Sequence, residues 1–279
     1  TAIAKDLGDL TLKFWAAAGT FQAALAAVVI DDAHAALDRM DAAADEIERL
    51  VTENFAVGEE AGEPDALDYF AFGLVSARWY QGRGPEILDQ VHQAVADTPG
   101  VPTLLAVEAA FHEQNGDPEQ ARALLRDAAA RDFDYPINNS WSATVTIWAI
   151  VAAYLRDVDA ARTLYDLLTP WSGQIALSRV SATSPIDAAL GRLAAVLGNY
   201  DDAEAHFAVA EANGDALGAR YWNAHGDVDR ALMYLARGDT GDRALAEDYA
   251  TKTLDCARER GYGDLERRAA ALLDALPTA

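Results

Sequence analysis

The sequence predicts an all-α chain, an α-solenoid of about five to six helical hairpins, and three observations carry that expectation. Alanine, the strongest helix former, fills 61 of 279 positions, against 19 glycines and 9 prolines. Apolar residues recur at spacings of three and four: Val158, Ala161, Leu164, Tyr165 and Leu168 make one stripe of a 3.6-residue helix. Helix stops recur as well, at Gln81-Gly82, Asn115-Gly116, Gly198-Asn199 and Arg237-Gly238, with Arg156-Asp157 as a turn that lacks glycine. Counted from Gly82 to Gly116, Asp157, Gly198 and Gly238, the intervals are 34, 41, 41 and 40 residues. That is the length of a helix, a short turn and a second helix. A single hairpin cannot bury its apolar face alone, so a periodic series implies stacking.

Taken in order, residues 7–30 and 31–56 keep helical periodicity without a repeat motif, and residues 1–64 are expected to form an N-terminal capping hairpin. Residues 65–279 are expected to form one continuous superhelix. Gly84-Pro85-Glu86 and Val101-Pro102 open helices weakly, whereas Asp117-Pro118-Glu119-Gln120 is a strong start. Asp satisfies orphan amides, proline suits the first turn, and Gln120 completes a capping box. Ser184-Pro185 is predicted to be a second start of this kind. The uncharged runs 14–30 and 135–155 fall short of a span: Gly19, Thr20 and Gln22 interrupt the first, and only about 15 apolar-leaning residues follow Trp141 in the second, against roughly 20 needed.

One segment carries a known pattern. From Ser184 the chain reads SPIDAALGRLAAVLGNYDDAEAHFAVA, and its Leu190-Gly191, Gly198-Asn199-Tyr200, Ala203, Phe207 and Ala210 resemble the tetratricopeptide repeat. Glu108-Ala109, Ala121, Leu125 and Ala128 give a partial second match, and Ala149, Ala161 and Tyr165 a weaker third. The resemblance implies that the small residues mark helix contacts and that the aromatic fills the gap between hairpins. Asp187 and Ala194 stand where the pattern favours aromatics, and Asp215 where it favours proline.

At larger scale, residues 162–273 resemble the C-terminal tetratricopeptide-like region of large actinobacterial signalling regulators. Those proteins carry an NTPase module with either a class III cyclase-like domain in front or a LuxR/MalT-like DNA-binding domain behind. The stretches that carry the resemblance are LYDLLTPWSG at 164–173, SPIDAALGRLAAVLGNYDDAEAHF at 184–207, and LGARYWNAHGDVDRALMYLARGDTGDRALAEDYATKTLDCARERG at 217–261. It implies a regulatory region and leaves open which effector domain accompanies it.

Charge and motifs exclude several functions. With 22 basic and 45 acidic side chains the net charge is −23, which repels a polyanion such as DNA. The best basic stripe, Arg258, Arg260, Arg267 and Arg268, is interleaved with Glu259, Asp264 and Glu266. No nucleic acid is therefore expected to bind this chain. The lysines, Lys5, Lys13 and Lys252, all lack a preceding glycine, so no phosphate-binding loop is encoded. Cys256 is the single cysteine, which allows no intrachain disulfide and fits a reducing cytoplasm. His34, His92, His112, His206 and His225 show no metal-ligand spacing. Asp201-Asp202 follows a turn, where acids favour the positive end of a helix. No catalytic residue, metal or cofactor is expected.

Two features remain for binding. The acidic block 31–63 holds 11 carboxylates against Arg39 and Arg49, a solvated face or a strip for a basic partner. Aromatics gather on first helices of hairpins, which line the concave face of tetratricopeptide-like solenoids. Trp148, Trp171, Tyr221 and Trp222 are the candidates for a groove that takes a protein or small-molecule effector. The connection 171–183 is long for a helical hairpin, as functional loops tend to be. The expectation is a cytoplasmic, non-catalytic binding module that regulates an effector domain of a larger signalling or transcriptional regulator. The alternatives are a fragment of a cyclase or ATPase whose activity lies outside this chain, or of a LuxR-type transcriptional regulator.

Overall fold

The computed structural model describes residues 40–63, 66–178 and 182–276. The helix expected over 7–30 and the apolar run 14–30 lie outside the described residues. Those residues form twelve α-helices and one two-stranded sheet, an all-α fold. In chain order the helices are α1 (Met40–Ala61), α2 (Ala66–Gln81), α3 (Leu88–Asp97), α4 (Pro102–Gln114), α5 (Pro118–Ala129) and α6 (Trp141–Tyr154). They continue as α7 (Val158–Leu168), α8 (Ile186–Val196), α9 (Tyr200–Leu217), α10 (Arg220–Arg237), α11 (Asp242–Arg260) and α12 (Gly263–Ala275). None of the described helices is long and apolar enough to cross a membrane.

Most of the local punctuation acts as its chemistry dictates. Pro102 opens α4 and Pro118 opens α5, where Asp117 Oδ1 accepts from the Gln120 amide at 3.3 Å. Asp157 caps α7 in the same way, accepting from the Ala160 amide at 3.0 Å. Gly84-Pro85 opens a 3-10 turn, Gly84–Ile87, rather than an α-helix. Ser184-Pro185 precedes α8 directly, with Pro185 at the N-cap position, but neither side chain makes a capping hydrogen bond. Both residues belong to strand β2 (Ala182–Pro185), which pairs antiparallel with β1 (Ile175–Leu177), and α8 starts only at Ile186. The long connection is thus a small β-hairpin, and Ser142 Oγ on α6 accepts from the Leu177 amide at 3.0 Å.

Burial separates the helices into two layers. In α4, α6, α8 and α10 residues are buried nearly all round, while α5, α7 and α9 bury one stripe, such as Ala121, Leu125 and Ala128. The inner helices contact one another in sequence: α4 with α6, α6 with α8, α8 with α10, and α10 with α12. Each outer helix, α1, α3, α5, α7, α9 and α11, packs on the inner helix that follows it. Gly191 shows why two of the layers come close: a Cβ there would sit 2.6 Å from the Phe207 ring.

The stack also closes. Helix α12 packs against α2, and the Trp79 ring of α2 meets Phe111 of α4 at 5.8 Å between centroids. Among the described residues, six inner helices therefore form a ring rather than an open superhelix. Two glycines allow the closing contact. Gly82 ends α2 at φ +67°, where a Cβ would lie 2.6 Å from the Asp264 amide, and a Cβ on Gly263 would collide with the Gln81 carbonyl. An aromatic cluster seals the seam: Tyr221 meets Tyr80 edge-on at 4.7 Å and Tyr262 at 5.0 Å.

Candidate functional site

The ring encloses a cavity of about 80 Å³, enough for more than a single water. Its wall draws on five inner helices. Phe72, Val75 and Trp79 come from α2, Val107 from α4, Ile147 and Ile150 from α6, Ala188 and Arg192 from α8, and Tyr221, Trp222 and His225 from α10. Ser178, Thr183, Ser184 and Pro185 place the β-hairpin on the same wall. The surface is mainly apolar and aromatic, with polar atoms at a few points, as in pockets for small molecules.

Some of those polar atoms are satisfied within the protein. Thr103 and Thr144 hydroxyls lie 2.6 Å apart, Ser76 Oγ donates to the Phe72 carbonyl, and Thr183 Oγ1 to that of Ala176. Four are not. Thr146 Oγ1, Ser184 Oγ, Arg192 Nη1 and Trp222 Nε1 are buried without a hydrogen-bond partner from the protein. The residues Thr146, Arg192 and Trp222 are 1%, 4% and 6% exposed. A buried polar group left unpaired costs roughly 1–3 kcal/mol, and four residues of this wall each carry one.

Beneath the apolar wall lies a charged core that links helices across the ring. Arg192 Nε donates to Asp229 Oδ2 at 2.6 Å, with both side chains 3% exposed. Burial pushes the Asp229 carboxyl up to about 6, against the pull of Arg192. Tyr154 Oη and His225 Nε2 are hydrogen-bonded at 2.9 Å. Burial first, then the charges of Arg192 and Arg268, hold His225 well below its usual range, so the ring is neutral. Arg268 of α12 stacks over Tyr154 of α6 at 3.9 Å and reaches Glu113 of α4 at 2.7 Å. The same desolvation pushes the Tyr80, Tyr154 and Tyr221 phenols above their ordinary range. On the far side, Arg192, Asp229 and Tyr154 line a second cavity of about 140 Å³ with Leu232 and Met233.

The aromatic candidates divide. Tyr221 and Trp222 line the cavity, and the Trp222 indole N–H is buried without a partner from the protein. Trp148 is fully buried in the core against Phe133, at 6.1 Å between centroids, and does not reach the cavity. On a 3.6-residue helix, Ala143, Thr146, Ile147 and Ile150 share the cavity face, and position 148 points away from it. Trp171 lies outside as well, half-buried against Trp141 at 5.2 Å. The basic residues Arg267 and Arg268 serve the closure of the ring, paired with Asp264. No sequence motif points to Arg192, Thr146 or Ser184 as cavity residues. A legible signal existed for one of them, a lone arginine inside the apolar helix IDAALGRLAAV.

Among the described residues no group of histidine, cysteine and carboxylate side chains is placed to hold a metal ion. No protein family, no characterised protein and no solved structure matches the chain.

Proposed function

We propose that this chain is a ligand-binding module, non-catalytic in itself, that takes a small molecule into the cavity of its helical ring. The observation that carries the proposal is the set of four buried, unpartnered polar atoms on an otherwise apolar wall. Binding is favoured over catalysis by what surrounds them. The His225 Nε2 is engaged by the Tyr154 hydroxyl rather than by a serine or threonine of the wall, and the phenols are shifted away from neutrality.

The hairpins are proposed to be tetratricopeptide-like, with Gly191 and Phe207 as the packing pair, and the module to regulate an effector domain of a larger cytoplasmic regulator. The wall comes from five inner helices and the β-hairpin, so an occupant that favours one packing of the ring biases every hairpin at once. Neither nucleic acid nor membrane is a proposed partner of this chain.

Thermal unfolding with indole, a neutral apolar probe, tests the cavity. A binder of the folded state raises Tm with concentration. The expected result is a saturable rise in the native chain and none in Ala188→Trp, which fills the cavity from α8. An equal rise in both would place the binding elsewhere, and turnover of a nucleotide by the purified chain would overturn the non-catalytic assignment.

A further inference from the structure

Resting on the cavity as a ligand site, we infer that its occupant is a small apolar carboxylate, held through its oxygens by donors on α8 and α10. Each of the four unpartnered atoms can donate a hydrogen bond. Arg192 Nη1 and Trp222 Nε1 are donors only, and the hydroxyls of Thr146 and Ser184 can each donate. No acceptor-only side-chain oxygen lines the cavity without a partner among the described residues. The ligand must therefore bring acceptors.

Charge narrows the class further. Arg192 is the one permanently charged side chain on the described wall, and no carboxylate shares that wall. An ammonium ligand would meet a cation and find no counter-charge. Asp229 uses the Nε edge of the guanidinium and leaves Nη1 free. One planar guanidinium can serve two carboxylates from different edges, and charge-assisted bonds of this kind are about twice as strong as neutral ones. The apolar body of the ligand then lies against Phe72, Ile147 and Ile150. A charged group entering so apolar a wall is tolerable only where it is paired and hydrogen-bonded, and the donors meet that condition.

The test is calorimetric titration of the full chain at pH 7.5 with four probes that share one body: 3-phenylpropionate, 3-phenylpropanamide, 3-phenylpropanol and 3-phenylpropylamine. The acid is expected to bind at least tenfold tighter than the amide or alcohol, with no detectable binding of the amine. Trp222→Phe removes one donor and keeps an aromatic ring, and because the lost volume weakens all the probes alike, a further threefold to tenfold loss specific to the acid is expected. Arg192→Met should lose more, with circular dichroism checking that it folds. If the amide or alcohol equals the acid, the carboxylate assignment is wrong and the cavity stands. If indole raises Tm while none of the four probes binds, the assignment is likewise wrong. If indole and all four probes fail together, the cavity assignment falls with it.

Discussion

The Arg267 guanidinium donates to the Gly82 carbonyl at 3.1 Å, joining residues 185 positions apart at the place where the ring closes. Around that bond the backbones approach closely enough that Gly82 has no room for a side chain. Gly82→Val is expected to cost about 2–4 kcal/mol, combining left-handed strain of roughly 1–2 kcal/mol with the clash. Gly116→Ala is the control. It shares a positive φ of 73° but faces open space, so it should cost only about 1 kcal/mol. Urea unfolding measures both. Equal losses would mean that the closing contact contributes nothing beyond backbone strain.

Asp187, a departure from the repeat pattern, explains how the β-hairpin is held. Its wholly buried carboxylate accepts from Ser172 Oγ at 2.8 Å, from the Gly173 amide, and pairs with His206 Nδ1 at 2.8 Å. Asp187→Ala leaves those groups without their acceptor, a loss of about 2–4 kcal/mol. Limited proteolysis should then cut the connection 171–183 faster than in the native chain. Unchanged cleavage there, with the same loss of stability, would mean that Asp187 supports α8 and not the hairpin.

How far this was legible follows from range. The turns at Gly116, Gly198 and Gly238 and the Gly191–Phe207 contact depend on neighbours within one hairpin, and local chemistry suffices to read them. Ring closure depends on curvature accumulated over many hairpins, and the two seam glycines look like ordinary helix-end glycines in sequence. Ser184 misled for a related reason: Ser-Pro before an apolar run is sound capping chemistry, but pairing of Ser184 with Ala176 drew it into a strand. Trp148 and Trp222 are the same residue type on inner helices. Only the rotation of each helix about its axis decides that one fills the core and the other meets the cavity.

Two titratable groups under the cavity pull stability in opposite directions with pH. His225 is held well below 6.5, so below that value the unfolded chain binds a proton that the folded chain refuses. Its contribution is present above about 6.5 and is lost as pH falls. Asp229 is raised from 3.8 to about 6, so the folded chain keeps a proton that the unfolded chain has released. Its contribution is full below 3.8 and is lost as pH rises through about 6. Unfolding free energies measured from pH 4 to 8 separate them by difference. Native minus His225→Asn should shrink on acidification, and native minus Asp229→Asn should shrink as the pH is raised. A common sign for the two slopes would contradict the burial of one of them.

Arg156 occupies the turn where glycine was missing from the periodic series, and it adopts φ +53° there. The equivalent turns use Gly116, Gly198 and Gly238 at φ 73°, 79° and 72°. A left-handed conformation costs a side-chain-bearing residue about 1–2 kcal/mol, and glycine avoids that cost. Glycine also widens the unfolded ensemble, which takes back about 0.5–1 kcal/mol. Arg156→Gly is therefore expected to stabilise the chain by about 0.5–1 kcal/mol, a Tm increase of roughly 1–3 °C. Arg156→Ala keeps the Cβ and hence the strain, so it should bring no gain. An equal rise in both variants would trace the effect to the arginine charge instead of the backbone.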